Sequence, residues 1–131
     1  MGNSKADMKR ILVVEDEPAI SQVCQRVLTK DGFEVDTAVN GEIAQDMLKG
    51  KDYTLILIDI RTPVMSGKEF YQCLRGKYPK LVDEVIFTTG DVIGNDTKNF
   101  LEQSGRPFLP KPFTSDELKA IVRETLSQVE K

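Results

Sequence analysis

Short apolar runs and helically spaced apolar residues alternate along this chain from Arg10 to Val129. "RILVVE" (Arg10–Glu15) reads as a short buried strand. Pro18 opens a helix whose Ile20, Val23, Cys24, Val27 and Leu28 recur at three and four residues, and Asp31-Gly32 ends it. "FEVDTAV" (Phe33–Val39) alternates apolar and polar positions, as an edge or half-exposed strand does. Asn40 is placed to cap a helix with Ile43, Ala44, Met47 and Leu48 inward, stopped near Gly50. "LILIDIRTPVMSG" (Leu55–Gly67) supplies the third strand, an aliphatic run that ends on Asp59 and is bounded by Pro63 and Gly67. Gly67 to Lys77 reads as a helix with Phe70, Cys73 and Leu74 inward, closed by Tyr78-Pro79. "EVIFTTG" (Glu84–Gly90) is the fourth strand, and a short helix spans about Thr97 to Gln103 before Ser104-Gly105. "RPFLPKPF" (Arg106–Phe113) holds a short fifth strand. Thr114 or Ser115 caps a last helix carrying Leu118, Ile121, Val122, Leu126 and Val129.

Strands alternating with helices in this way predict a single α/β domain with a doubly wound, five-stranded parallel sheet and five helices on its two faces. The right-handed crossover rule makes the flavodoxin-like order 2-1-3-4-5 the economical topology. That order puts the switch point between strands one and three. Their carboxyl ends carry Glu15-Asp16 and Asp59, so two acidic stretches remote in sequence converge on one crevice. Residues 1–8 are polar and read as a loose or tag-derived N-terminus, leaving 9–131 as the domain.

Composition narrows the chemistry. The 131 residues are one domain's worth, and a net charge of −3 argues against nonspecific nucleic-acid binding. No apolar stretch approaches a membrane span and no signal-peptide core opens the chain, so a cytoplasmic protein is expected. Cys24 and Cys73 lie far apart in helical segments and read as two buried free thiols rather than a disulfide. The chain has no histidine, which removes His-based triads, HExxH zinc sites and a self-supplied phosphohistidine.

Glu15, Asp16 and Asp59 in one crevice would repel one another without a cation. An all-oxygen donor set with room for water suits Mg²⁺, with Mn²⁺ as a substitute, better than Zn²⁺. Lys111, just past the fifth strand, is the second cation: three carboxylates then face Mg²⁺ and one ammonium, −3 against +3. Glu17 reads as a helix N-terminal acid favoured by the dipole. Thr88 and Thr89 end the fourth strand, and alternation lets only one of them face the crevice.

Four segments, "ILVVEDEP" (Ile11–Pro18), "LILIDIRTPVMSG", "VIFTTGD" (Val85–Asp91) and "FLPKPF" (Phe108–Phe113), in this order and spacing resemble the receiver domain of two-component response regulators over essentially Lys9 to Val129. The resemblance implies that Asp59 is the phosphoacceptor, that Asp16 ligates Mg²⁺ with Glu15 helping to position it, and that the Arg61 carbonyl completes the protein's share of the metal shell. It implies Thr89 as the switch hydroxyl, Lys111 as the partner of the phosphoryl oxygens before a cis Pro112, and Phe108 as the aromatic switch position. It also implies a histidine kinase or histidine phosphotransfer domain as phosphodonor, and a homodimer through the fourth helix, fifth strand and fifth helix as one mode of output. Thr54 stands where the family often has aspartate. Arg61 and Asp91, which flank the phosphoryl group in the family, are unlike the commonest pairs.

Other classes fit less well. A haloacid-dehalogenase-type phosphatase needs a second aspartate where Arg61 stands, and "EDEP" would repel the phosphate of a flavodoxin cofactor. A pseudo-receiver, binding partners without phosphorylation, remains the alternative. "FTTGD…FLEQSGRPFLPKPF" resembles the C-terminal receiver of hybrid histidine kinases, so an origin there is expected ahead of a single-domain regulator.

Overall fold

The computed structural model describes residues 9–62, 64–90 and 95–129. Pro63, Asp91, the N-terminal residues 1–8 and the side chain of Val129, all named above, lie outside them.

The strands are β1 (Arg10–Val14), β2 (Glu34–Ala38), β3 (Leu55–Asp59), β4 (Val85–Thr89) and β5 (Phe108–Pro110). They form one parallel sheet in the order β2-β1-β3-β4-β5, as the alternation predicts. The helices are α1 (Pro18–Lys30), α2 (Gly41–Gly50), α3 (Gly67–Lys77), α4 (Asn95–Ser104) and α5 (Ser115–Val129). A 3₁₀ segment, Pro79–Glu84, follows α3 and was not anticipated from the sequence. Pro79 cannot extend α3, and Leu81 N–H bonds back to the Tyr78 carbonyl at 2.9 Å, so the chain tightens rather than opening into a loop.

Alternation within the buried strands sorts the core into two layers. Ile11, Val13, Leu55, Leu57 and Ile86 pack with Cys24 and Leu28 of α1 and with Leu118, Val122 and Leu126 of α5. Leu12, Val14, Ile56, Ile58 and Phe87 face the other way, toward Ala44 and Leu48 of α2 and Phe70, Tyr71 and Leu74 of α3, with Phe100 of α4 packed against them. Tyr71, Phe87 and Phe100 meet edge to face, with ring centroids 5.1–5.7 Å apart.

The inward face of α3 differs from expectation. Tyr71 takes the buried position beside Phe70 and Leu74, and Cys73 is only half buried. Both cysteines are free thiols, but only Cys24 is fully buried, and burial pushes that thiol up to about 12. Ile43 is exposed rather than inward, because it sits in the first turn of α2 beside exposed Val39, past the end of edge strand β2.

Helix ends follow the capping chemistry. Asn40 Oδ1 accepts from Ile43 N–H at 2.9 Å. Ser66 and Glu69 form a reciprocal capping box at α3. Thr114, rather than Ser115, caps α5, paired with Glu117 in the same way. Helix α4 runs two residues earlier and one later than expected and stops at Gly105, whose φ of 66° an L side chain rarely adopts.

Candidate functional site

The carboxyl ends of β1 and β3 lie side by side at the switch point, with Val14 and Ile58 in register. One residue further on, Glu15 and Asp59 face each other across the crevice, and both are buried. Asp16 is exposed at the rim, yet one oxygen from each of Glu15, Asp16 and Asp59 lies within 4.8 Å of the other two.

Three turns hold these groups. Glu15 N–H donates to the Ala38 carbonyl at 2.9 Å, and Glu15 Oε2 accepts from Glu17 N–H at 3.2 Å. Asp59 Oδ1 accepts from the backbone N–H of Arg61 at 3.1 Å, so the β3–α3 turn folds the Arg61 backbone over the carboxylate. Gly67 N–H returns to the Ile60 carbonyl at 3.0 Å and seats the start of α3 against the end of β3. Only glycine fits there: a Cβ would stand 2.4 Å from the Asp59 carbonyl oxygen and 2.6 Å from Ile58 Cγ2.

Lys111 crosses from the other side of the sheet. Its N–H donates to the Thr89 carbonyl at 3.1 Å, and the Lys111–Pro112 peptide is cis, as the resemblance implied. Its Nζ lies 2.8 Å from Glu15 Oε1, 3.1 Å from Asp59 Oδ2 and 3.3 Å from Glu17 Oε1. Burial opposes the ammonium's charge, but the hydrogen bonds to Glu15 and Asp59 outweigh it and raise Lys111 above the ordinary lysine range. For Glu15 the balance goes the other way. Burial, reinforced by the charge of Asp59, raises its carboxyl from 4.5 to about 7 although Lys111 pulls it down. One ammonium therefore does not satisfy this cluster. The donor set is all oxygen, partly open at Asp16, and in excess of its cation, which fits a hard divalent ion such as Mg²⁺.

Thr88 is the register partner of Asp59, and both threonines are buried. Alternation continues the face of Ile86 to Thr88 and that of Phe87 to Thr89, so Thr89 stands on the Phe108 side of the sheet. Phe108 pairs in register with Phe87, is half buried, and borders an open cavity with Lys98, Leu101 and Glu102. Lys111 and Glu17 also wall an apolar cleft of about 560 Å³ lined by Ile20, Val23, Pro112 and Phe113. Its place in the sequence suits Glu17 to the role of a helix N-terminal acid. It does occupy the cap position of α1, but its side chain makes no capping bond and reaches Lys111 instead.

The model of the family described as "Response regulator receiver domain" matches residues 11–123. The chain belongs to this family. A curated relative, the transcriptional regulatory protein TcrA of Mycobacterium tuberculosis, is 35% identical over 114 residues, covering 87% of this chain and 44% of TcrA. The chain thus spans about half the length, or less, of the curated relatives it matches. A CheY-like receiver from Methanospirillum hungatei superposes with a TM-score of 0.86 at 26% identity, covering 95% of this chain and 98% of that one. The response regulator TrrA of Thermotoga maritima, solved in complex with Mg²⁺ and BeF, gives a TM-score of 0.78 at 34% identity over 90% of this receiver and 99% of TrrA. No helix among the described residues is long and apolar enough to cross a membrane.

Proposed function

We propose that this receiver accepts a phosphoryl group on Asp59 and uses it to switch a protein-binding surface. The observation that carries this reading is the buried Asp59 carboxylate held between the Arg61 N–H and the Lys111 ammonium, within 4.8 Å of Glu15 and Asp16. An Asp59 oxygen attacks phosphorus in line, forming the acyl phosphate. The bond from phosphorus to the donor breaks, and a histidine donor leaves as imidazole, taking up a proton. Phosphoryl transfer asks the protein for positioning and charge neutralisation more than for covalent help. Lys111 supplies a preorganised positive charge beside the attacking group. Glu15, Asp16, Asp59 and the Arg61 carbonyl would hold Mg²⁺, which when bound neutralises the phosphoryl oxygens.

These 131 residues contain no histidine, so a phosphohistidine donor lies outside them; a histidine kinase or a histidine phosphotransfer domain has the required chemistry. Thr89 is the switch hydroxyl, in keeping with its place on the Phe108 side of β4. Output runs through Phe108 and the α4–β5–α5 surface, to a partner or to a second copy in a homodimer. "FTTGD…FLEQSGRPFLPKPF" supports an origin in a hybrid kinase, whereas TcrA is named as a transcriptional regulator, whose remaining length leaves room for a domain that binds nucleic acid. A cytoplasmic location agrees with both origins.

The test is uptake of phosphoryl groups from acetyl phosphate. One base-labile group per chain is expected with Mg²⁺, and none with EDTA or in Asp59→Asn. No uptake under any condition would leave the pseudo-receiver reading in its place.

A further inference from the structure

Lys111 is shared more widely than phosphotransfer alone requires. Its ammonium touches two buried carboxylates, Glu15 and Asp59, whose side chains are 3% and 5% exposed, and a third, Glu17, that is 60% exposed. The Glu17 backbone is fixed, its N–H donating to Glu15 Oε2 and its carbonyl accepting from the Ile20 and Ser21 N–H groups, whereas its side chain is held by Lys111. Its side chain takes no part in capping α1, the task its position would otherwise give it. The third contact therefore gives the ammonium an exposed partner that competes with the carboxylate to be modified, at 3.3 Å against 3.1 Å for Asp59.

We infer that Glu17 is a positioning residue that retains Lys111 at the crevice mouth and so sets how readily the ammonium passes to a group bound on Asp59. The inference rests on the reading of Asp59 as acceptor. A phosphoryl group brings new anionic oxygens to Asp59, and Lys111 can serve them only by loosening one of its present partners. Glu15 is buried and also needed by the metal, so Glu17, solvated and free to turn outward, is the partner released. Its hold is weakened by water and salt, because the side chain is mostly exposed. Glu17 thus acts as a modest brake on the phosphorylated form rather than as a group that contacts the phosphoryl oxygens.

Beryllofluoride at saturating Mg²⁺, titrated by calorimetry, reads this directly. Glu17→Gln should bind it roughly two- to five-fold tighter than the unaltered protein, as expected for release of an exposed ion pair. Glu17→Asp keeps the charge at the mouth but loses a methylene of reach, and should show the same gain. The gain should shrink at high salt and vanish in a Lys111→Met background. Structural damage would loosen binding, so tightening separates the two explanations. Unchanged or weaker binding by Glu17→Gln, a Glu17→Asp that behaves like the unaltered protein, or an equal gain in Lys111→Met would overturn the inference. Should Lys111→Met bind too weakly to measure, the Glu17→Asp comparison decides. If the unaltered protein binds no beryllofluoride, it is the acceptor reading of Asp59 that fails, and this inference with it.

Discussion

Two glycines in one helix should respond to alanine with opposite signs. Gly67 begins α3, and a Cβ there would lie 2.4 Å from the Asp59 carbonyl oxygen, 2.9 Å from its carbon and 2.6 Å from Ile58 Cγ2. Ordinary carbon contacts sit near 3.5–4.0 Å, so the start of α3 and the end of β3 must part by about 1 Å. Two of the three clashing atoms are backbone, and a rotamer change cannot relieve them. Overpacking of this kind costs about 1–3 kcal/mol, while alanine's better helix propensity returns at most about 1 kcal/mol. Gly76, near the other end of α3, has nothing within 4 Å of its notional Cβ. There the propensity gain stands alone, at about 0.4–1 kcal/mol. For a domain of this size each kcal/mol moves the midpoint by roughly 3–5 °C. Thermal melts should therefore show Gly67→Ala lower by several degrees and Gly76→Ala higher by a few. The displaced atoms belong to Asp59, so Gly67→Ala should also slow phosphorylation by acetyl phosphate about 10- to 100-fold, the penalty of ångström-scale misplacement. Equal melting points for the two variants, or an unaltered rate in Gly67→Ala, would show that the α3–β3 contact does not position the acceptor.

Other consequences follow from the same geometry. Asp16→Asn should remove most Mg²⁺ affinity while leaving the melting point of the metal-free protein nearly unchanged, since Asp16 is exposed; unaltered binding by calorimetry would count against the metal assignment. The Glu15 carboxyl is raised from 4.5 to about 7 by burial and by Asp59, so the folded state binds this proton more tightly than the unfolded one. The stability it contributes is full below about pH 4.5 and lost as pH rises through about 7, on the order of 1–2 kcal/mol after solvent screening. Urea titrations in EDTA should show that decline and Mg²⁺ should reverse it; a flat profile across the window would refute the charge excess. Phe108 ring resonances should shift on addition of beryllofluoride and Mg²⁺, and their constancy would place the switch elsewhere.

Much of this fold was legible because strands buried on both faces leave unbroken aliphatic runs, and helices leave apolar spacings of three and four. Asp59 and the Glu15-Asp16 pair were legible as a site because each closes such a run, and strand order then brings the two runs together. Details that depend on side-chain reach were not. Lys111 meets Glu17 across 94 positions of sequence, a contact no local pattern encodes. Tyr71 and Cys73 both fit the apolar stripe of α3, and only the shape of the space beside Phe87 and Phe100 chose the tyrosine. Ile43 satisfied the helical period yet lies beyond the sheet that its stripe was expected to cover. The 3₁₀ segment after Tyr78 carried only its proline as a signal.

Reductive trapping tests the central claim most directly. Protein incubated with acetyl phosphate and Mg²⁺ is treated with borohydride, which converts an aspartyl phosphate to homoserine, and the peptides are sequenced by mass spectrometry. The account predicts homoserine at residue 59 alone, absent when EDTA replaces Mg²⁺. Homoserine at Asp16, or a phosphoryl group recovered intact on Thr88 or Thr89 with Asp59 unmodified, would contradict it.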